Sequence, residues 1–340
     1  MTTKPQSDPP PADGPDLSVE IAGVKLATPL LPASGTCGYS NEYADFLDLR
    51  RFGAFVTKSI TLRPRVGNDY PRVVETRAGM LNSIGLANVG LEAFLAEKVP
   101  LLRKLGLPVF VNVAGSTVEE YLAVVKALQE EPAVRGIELN ISCPNVKAGG
   151  IQFGVDPAQV RAVVSAVKAV CRKTILIVKL SPNVADIAQT AAAAVEAGAD
   201  ALSLINTFTA MAIDVRKRRP ILANGHGGLS GPAIHPVAVY MVHRVWTQVA
   251  RRAGVPIIAM GGVQHATDAL EFLLAGATAV AVGTALFVDP GCVASILEGI
   301  REYLRHGGCS SIRQIVGALE SPGAAAGADF GPARGQEKRG

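Results

Sequence analysis

The chain has 340 residues, of which 49% are hydrophobic and 18% are charged. This composition provides a large buried core and excludes a wholly disordered protein. The 33 Lys and Arg residues against 29 Asp and Glu residues leave a formal net charge of +4, an excess too small to indicate nucleic-acid binding.

Cysteine and histidine usage argues against disulfides and metals. The five cysteines are odd in number and none forms a CxxC pair, so we predict a reducing compartment and no iron–sulfur cluster or structural zinc held by this chain. The five histidines show no metal-ligand spacing. Because neither a signal segment nor a long apolar window is present, we expect a cytoplasmic protein that does not enter the membrane.

The ends of the chain differ in composition from the middle. Residues 1–16 are rich in Pro and Asp, and residues 320–340 are rich in Gly, Ala and charge; we predict disordered tails there and a single domain over residues 17–319. The basic run Arg216 to Arg219 is typical of a solvated loop.

In chain order, an alternating stretch, Leu17–Leu26, turns at Ala22-Gly23 and predicts a hairpin that covers the floor of the domain. Eight apolar runs then follow as predicted strands. They are Thr28–Ala33, Ala54–Lys58, Val109–Val113, Gly136–Ile141, Ile175–Leu180, Ala201–Ile205, Ile257–Met260 and Ala279–Val282.

Helix signals lie between these strands. Asp156 before Pro157 is an N-cap signal, and Thr117 with Glu120 matches a capping box. Glycine ends two helices just before a strand, at Gly198 and Gly276. Eight alternating strand–helix units, without a Rossmann glycine turn after the first strand, favour a (β/α)8 barrel, whose functional residues lie at the carboxyl ends of its strands.

Unusual polar residues follow the predicted strands. The fourth strand leads into Asn140, Cys143 and Asn145, a thiol between carboxamides that suits a planar heterocycle; a capped turn with an incidental cysteine is the alternative for any single residue. Other strand ends carry Lys58, Asn112, Lys179 and Asn206-Thr207, and the segment Leu81–Asn88 adds Asn82. Gly261-Gly262 and Gly283-Thr284 follow the last two strands, where such barrels hold phosphate.

Six segments together resemble the dihydroorotate dehydrogenases, and the resemblance extends from about Leu17 to Leu319. They are Ala33-Ser34-Gly35-Thr36, Thr57-Lys58-Ser59, Asn82-Ser83-Ile84-Gly85-Leu86, Asn140-Ile141-Ser142-Cys143-Pro144-Asn145, Val178-Lys179-Leu180-Ser181-Pro182 and Gly227-Gly228-Leu229-Ser230-Gly231. Cysteine at position 143 implies class 1, since the membrane-associated class 2 carries serine there. Val146–Gly150 and Ile213–Asn224 resemble the NAD-linked subclass 1B.

The resemblance implies an FMN cofactor, with Cys143 and Lys179 as catalytic residues. The residues implied to contact FMN are Ser34, Lys58, Ser59, Asn112, Asn140, Lys179, Ile205, Gly231, Gly261, Gly262, Gly283 and Thr284. Those implied to contact dihydroorotate or orotate are Lys58, Asn82, Ser83, Ile84, Gly85, Leu86, Asn140, Asn145, Asn206 and Thr207. Cys143 would exchange the proton at C5 of the substrate.

Subclass 1B also implies a partner. In that subclass a homodimer of the catalytic chain forms a heterotetramer with an electron-transfer subunit that carries FAD and a [2Fe–2S] cluster and passes electrons to NAD+. Three alternatives stay open at this point: a dihydropyrimidine dehydrogenase subunit, which usually has His where Asn145 stands, a fumarate-linked subclass 1A enzyme, and a barrel that binds pyrimidine without catalysis. For Cys37 a reactive thiol and a small apolar filler are both considered, and the filler is favoured.

Overall fold

Eight short parallel strands form the central sheet of the protein. The computed structural model describes residues 14–40, 42–43, 45–142 and 153–320. The eight strands are β3 (Leu30–Pro32), β4 (Phe55–Val56), β7 (Val109–Val113), β8 (Val134–Asn140), β9 (Ile175–Lys179), β10 (Ala201–Leu204), β15 (Ile257–Met260) and β16 (Ala279–Val282). Their order is β3-β16-β15-β10-β9-β8-β7-β4.

The two ends of this sheet meet and close a barrel. The N–H of Gly53, just before β4, donates to the carbonyl oxygen of Leu30 in β3 at 2.8 Å. A Cβ atom at position 53 would overlap the carbonyl oxygen of Thr28, so the closure requires glycine here. The fold is therefore the predicted (β/α)8 barrel, and all eight predicted strands are confirmed. The first two are shorter than predicted.

Helices cover the outside of the barrel, so the strands are buried on both faces and consist of nearly continuous apolar residues. The helices are α1 (Gly90–Ala93), α2 (Val99–Arg103), α3 (Val118–Leu128), α4 (Pro157–Val170), α5 (Ile187–Glu196), α6 (His235–Val245), α7 (Arg251–Ala253), α8 (Ala266–Leu274), α9 (Ala285–Val288) and α10 (Cys292–His306). Single π-helical turns, Phe94–Lys98 and Trp246–Ala250, join α1 to α2 and α6 to α7. Short 3-10 helices lie at Leu49–Arg51, Pro232–Ile234 and Ile312–Gln314.

The helix signals in the sequence are confirmed, except that only the Thr117 half of the predicted capping box forms. Asp156 caps α4 by accepting from the N–H of Ala158, and Thr117 caps α3 by accepting from the N–H of Glu120. The carboxylate of Glu120 accepts from the N–H of Ser116 instead of completing the box at Thr117. Gly198 and Gly276 have φ values of +96° and +113° after α5 and α8, as a left-handed helix end requires.

The predicted hairpin is confirmed as β1 (Val19–Ile21) and β2 (Val24–Leu26), which pair antiparallel. Its turn, Ala22-Gly23, lines a shallow cleft together with Arg135, Thr174 and Asp200. These three residues lie at the amino ends of β8, β9 and β10. The hairpin therefore lies at the floor of the barrel, opposite the predicted site.

A second sheet lies at the carboxyl end of the barrel. It is antiparallel, with the order β11-β14-β6-β5, and its strands are β5 (Val73–Thr76), β6 (Gly79–Asn82), β11 (Phe208–Ala210) and β14 (Gly227–Ser230). β5 and β6 follow barrel strand β4, whereas β11 and β14 follow barrel strand β10. We call this sheet the cover sheet.

The basic run is exposed, as predicted, in a small hairpin of β12 (Ile213–Asp214) and β13 (Arg219–Pro220). At the start of the domain, the N–H of Asp16 donates to the carbonyl oxygen of Ser310 at 2.9 Å. The domain boundaries stay a prediction, since most of both predicted tails lies outside the described residues. Within the described part of the chain, no helix is long and apolar enough to cross a membrane.

Candidate active site

The carboxyl ends of the barrel strands bring the predicted polar residues to one end of the fold. Main-chain hydrogen bonds fix these ends against one another: the N–H of Ile205 donates to the carbonyl oxygen of Met260 at 3.0 Å, and that of Asn206 donates to Leu180 at 3.1 Å. The hydroxyl of Ser34 donates to the carbonyl oxygen of Thr57 at 2.9 Å. The loops that carry the site are therefore anchored on adjacent strands.

Inside the barrel, a row of buried polar side chains runs across four neighbouring strand positions. The Ser59 hydroxyl donates to Oδ1 of Asn112 at 2.6 Å, and Nδ2 of Asn112 donates to Oε2 of Glu138 at 2.6 Å. The same Oε2 lies 3.8 Å from Nζ of Lys179. The side chains of Ser59 and Asn112 thus form hydrogen bonds within this chain of contacts. The ammonium group of Lys179 forms none with it.

Lys179 is buried, but the N–H donors of its ammonium group have no acceptor among the described residues. Its side chain is 7% exposed, and the 3.8 Å separation from Glu138 is too long for a hydrogen bond. No other described side chain or carbonyl accepts from it. Its neighbour across the strands is Ser203, whose hydroxyl is buried without a hydrogen-bond partner among the described residues. The unpaired Ser203 hydroxyl beside the Lys179 ammonium group points to a polar group that the site receives from outside the chain.

Lys58 is the second lysine of the site and is half-buried. Its N–H donates to the carbonyl oxygen of Gly38 at 2.9 Å. Burial lowers the pKa of its ammonium group, the nearby carboxylate of Glu42 raises that pKa, and the guanidinium group of Arg72 lowers it. Lys58 therefore offers a positive charge that is partly desolvated and available to an anion.

The cover sheet supplies the segment Asn82–Leu86. Nδ2 of Asn82 donates to the carbonyl oxygen of Gly228 at 3.4 Å across the β6–β14 pair. Asn68 holds the following residues, because its Nδ2 donates to the hydroxyl of Ser83 at 2.9 Å. Gly85 has a φ of +73°, and a Cβ there would lie 2.6 Å from the backbone nitrogen of Asn68.

Asn140, Asn206 and Thr207 meet between β8 and β10. Nδ2 of Asn206 donates to Oδ1 of Asn140 at 3.4 Å, and the N–H of Thr207 donates to Oδ1 of Asn206 at 2.9 Å. The hydroxyl of Thr207 lies against Gly228, where any Cβ would overlap it. The structure therefore joins the carboxamides after the barrel strands to the cover sheet.

Three glycines form a backbone cradle after β14 and β15. Gly231, Gly261 and Gly262 have φ values of +97°, +136° and +74°, which disfavour any other residue. A Cβ at Gly262 would lie 2.8 Å from the carbonyl oxygen of Gly231. After β16, the hydroxyl of Thr284 donates to the Ser230 hydroxyl at 2.8 Å or accepts from it. Positive φ and missing side chains allow a ligand to approach the main chain, so this cradle fits a phosphate group.

His235 lies directly behind the cradle, at the first residue of α6. Its Nδ1 is 2.8 Å from the carbonyl oxygen of Gly261, and its Nε2 is 2.7 Å from Oε2 of Glu271. Asp268 is also close, with Oδ1 at 3.8 Å from Nε2. The three side chains could ligate a metal by their proximity, but these bonds already satisfy the imidazole within the protein.

Two residues of the predicted site, Cys143 and Asn145, lie outside the described residues, so their roles stay predictions. Of the other cysteines, Cys37 is fully buried, and burial raises the pKa of its thiol to about 12. This supports the interpretation of Cys37 as a small apolar filler.

Sequence analysis missed Glu138, Asn68 and His235. Glu138 carried a usable signal, because an acidic residue within an otherwise apolar strand is rarely buried without a partner. Asn68 and His235 carried none, since each acts through a contact with a segment distant in the sequence.

Comparisons with known proteins agree with the geometry. The family model for dihydroorotate dehydrogenase matches residues 16–304. The catalytic subunit of dihydroorotate dehydrogenase B (NAD(+)) from Geotalea uraniireducens is 57% identical over 305 residues, which are 90% of this chain and 98% of that protein. Proteins of the same name from Geotalea daltonii and Geobacter sulfurreducens are 57% and 54% identical, and each alignment covers 90% of this chain and 99% of the relative.

Proposed function

The chain belongs to the dihydroorotate dehydrogenase family, and we propose that it is the catalytic subunit of an NAD-linked member. It oxidises (S)-dihydroorotate to orotate in de novo pyrimidine biosynthesis. The observation that carries this proposal is the alignment of 57% identity over 98% of a relative of that name. The names of the relatives favour neither a dihydropyrimidine dehydrogenase nor a fumarate-linked enzyme.

FMN is the cofactor that the residues at the barrel mouth fit. The cradle of Gly231, Gly261 and Gly262, with Gly283 and Thr284, would hold its phosphate. Lys179 would lie beside its ring, where an ammonium group stabilises an electron-rich reduced flavin. Ser34, Ser59, Asn112, Asn140 and Ile205 would line the rest of the group. Bound FMN supplies the hydride-accepting chemistry at C6 of the substrate.

The chain's own residues bind the substrate and move the proton. Lys58 and the main chain of Ile84, Gly85 and Leu86 hold the carboxylate of dihydroorotate. The carboxamides of Asn82, Asn140, Asn145 and Asn206, with Ser83 and Thr207, meet the ring. Cys143 takes the proton from C5 as the thiolate, the form of cysteine that acts as a base.

A partner subunit completes the reaction. The relatives are named catalytic subunits, which supports a second, electron-transfer subunit for this chain. We propose that this partner carries FAD and a [2Fe–2S] cluster and joins a homodimer of this chain in a heterotetramer. The missing CxxC pairs in this sequence agree with a cluster held elsewhere. The cytoplasm is the proposed location.

The decisive experiment uses the purified chain alone. We expect a yellow protein whose flavin absorbance bleaches rapidly when dihydroorotate is added without oxygen. A yellow protein that is reduced by dihydrouracil and not by dihydroorotate would contradict the proposed substrate. A colourless protein that also fails to bind added FMN would contradict the proposed cofactor. Rapid reoxidation by fumarate, with no NAD+ reduction after addition of an electron-transfer subunit, would assign the fumarate-linked subclass instead.

A further inference from the structure

Glu138 lies at the centre of the barrel, and neither substrate binding nor proton transfer explains it. Its side chain is 2% exposed. Within the described part of the chain, it is the only acidic residue that is buried, and Lys179 is the only buried lysine or arginine. Removing a charge from water is costly unless an opposite charge lies nearby. The two residues therefore balance each other inside the barrel.

The carboxylate of Glu138 is held in place from one side. Asn112 donates to its Oε2 at 2.6 Å, and Asn112 is itself fixed by the hydroxyl of Ser59 at 2.6 Å. Asn112 and Ser59 are buried as well. Since Glu138 and Lys179 lie on the adjacent strands β8 and β9, the negative charge has a fixed position relative to the ammonium group.

The contact between Glu138 and Lys179 is electrostatic and not a hydrogen bond. At 3.8 Å, the carboxylate partly cancels the field of the ammonium group, while the N–H donors of Lys179 stay available to a ligand. Such a field acts strongly at this depth, because little water is present to screen it.

We propose that Glu138 is a positioning residue that fixes a negative charge beside the ammonium group of Lys179 and thereby sets the reduction potential of the flavin. This rests on the proposed FMN site, because Lys179 acts on the flavin ring. A nearby carboxylate opposes the build-up of negative charge on reduction, so Glu138 holds the potential lower than Lys179 alone would set it. The residue thereby makes the reduced flavin a better electron donor to the partner subunit.

The test is Glu138→Gln in the FMN-loaded protein, with the midpoint potential measured by anaerobic titration against reference dyes. Gln keeps the shape and an oxygen that accepts from Asn112, but it removes the charge. We expect a more positive potential, with the equilibrium shifted at least tenfold toward reduced flavin, which corresponds to about 30 mV for a two-electron couple. Glu130→Gln is the matched control, because Glu130 forms an exposed ion pair with Lys173.

A second pair of variants covers the case in which Glu138→Gln fails to fold. Lys179→Gln leaves the carboxylate unbalanced, and Glu138→Gln with Lys179→Gln removes both charges. We expect a more positive potential in the double variant than in Lys179→Gln. An unchanged or more negative potential in Glu138→Gln, or equal potentials in this second pair, would overturn the inference. A wild-type protein that lacks flavin or ignores dihydroorotate would instead overturn the proposed function.

Discussion

His235 and Glu271 form a hydrogen-bonded pair behind the glycine cradle, with Nε2 and Oε2 2.7 Å apart. The other ring nitrogen of His235 faces the carbonyl oxygen of Gly261 at 2.8 Å. A carbonyl oxygen only accepts, so Nδ1 donates to it. Nε2 lies within hydrogen-bond distance of the Glu271 carboxylate, so both ring nitrogens have partners inside the protein. The cradle is therefore held from behind by a side chain that is fixed at both ends.

We expect His235→Gln to destabilise the protein and weaken FMN retention together. The substitution removes the ring that joins Gly261 to Glu271 and leaves the carbonyl group of Gly261 without its donor, a loss of about 1–3 kcal/mol in the free energy of unfolding. Urea unfolding and FMN release, followed by fluorescence, measure the two effects. Glu271→Gln is the control and should cost less, because the Glu271 side chain is 58% exposed. Equal effects in the two variants would contradict the assigned roles.

Cys143→Ala should slow flavin reduction by dihydroorotate roughly 10²–10⁴-fold while FMN stays bound, since a positioned acid–base group contributes about that much. Anaerobic stopped-flow absorbance measures the rate. In the wild type we expect the rate to rise with pH as the thiolate fraction rises, because a free thiol ionises near pH 8.5. Cys309→Ala serves as the control. Reduction at the wild-type rate in Cys143→Ala would remove Cys143 from the mechanism.

Three buried cysteines should resist alkylation in the folded protein. Burial raises the pKa of Cys37 to about 12 and that of Cys292 to about 11, and it raises the pKa of Cys171 as well. The thiolate is the reactive form, so at pH 8 only about one Cys37 in 10⁴ is reactive. Peptide mapping after iodoacetamide treatment should find these three unlabelled, whereas unfolding in guanidinium should expose all five. Rapid labelling of Cys37 at pH 8 would show that its surroundings open.

Orotate binding should weaken at alkaline pH, and in Glu42→Gln this weakening should begin at a lower pH. Burial already lowers the pKa of Lys58, and the Glu42 carboxylate works against this shift. Removing that carboxylate lowers the pKa of Lys58 further, so the ammonium group loses its proton at a lower pH. The dissociation constant of orotate against pH, read from flavin absorbance, avoids the chemistry of Cys143. A curve for Glu42→Gln that coincides with those of the wild type and Glu130→Gln would refute this role.

Gly228→Ala should impair substrate binding more than cofactor binding. The new Cβ would overlap the hydroxyl of Thr207, which must move away from the predicted substrate ring. We expect a KM for dihydroorotate raised at least tenfold with FMN content unchanged. Gly14→Ala is the matched control, because nothing lies within 4 Å of its added Cβ. Loss of FMN with an unchanged KM would contradict this prediction and show that Gly228 supports cofactor binding instead.

Most of the barrel could be predicted from the sequence, because the strands are buried apolar runs and several helices begin or end with a local signal. Asp156, Thr117 and Gly198 act through neighbours a few residues away, so their roles could be predicted. The ends of the strands could be predicted less well. Lys58 was predicted to end the second strand but lies beyond β4 (Phe55–Val56), because pairing with neighbouring strands determines where a strand ends.

Long-range contacts account for what the sequence could not show. In the sequence, Glu138 is a single acidic residue within a strand. Its role follows only from the fold, because β7 and β9 place Asn112 and Lys179 beside it. His235 likewise gains its role only when β15 and α8 place Gly261 and Glu271 against it. The cover sheet combines two loops that no local pattern connects.

That sheet has a consequence for the chain during synthesis. Strand β6 pairs on one side with β5, which precedes it immediately, and on the other with β14; 146 residues separate Asn82 from Gly228. At 5–20 residues per second, the ribosome takes roughly 7 to 30 s to make that interval. Throughout this time the open edge of β6 has no native partner, and such edges promote association between chains. The nascent protein is therefore most vulnerable to aggregation between the synthesis of β6 and that of β14, and a chaperone would bring the greatest benefit during this interval.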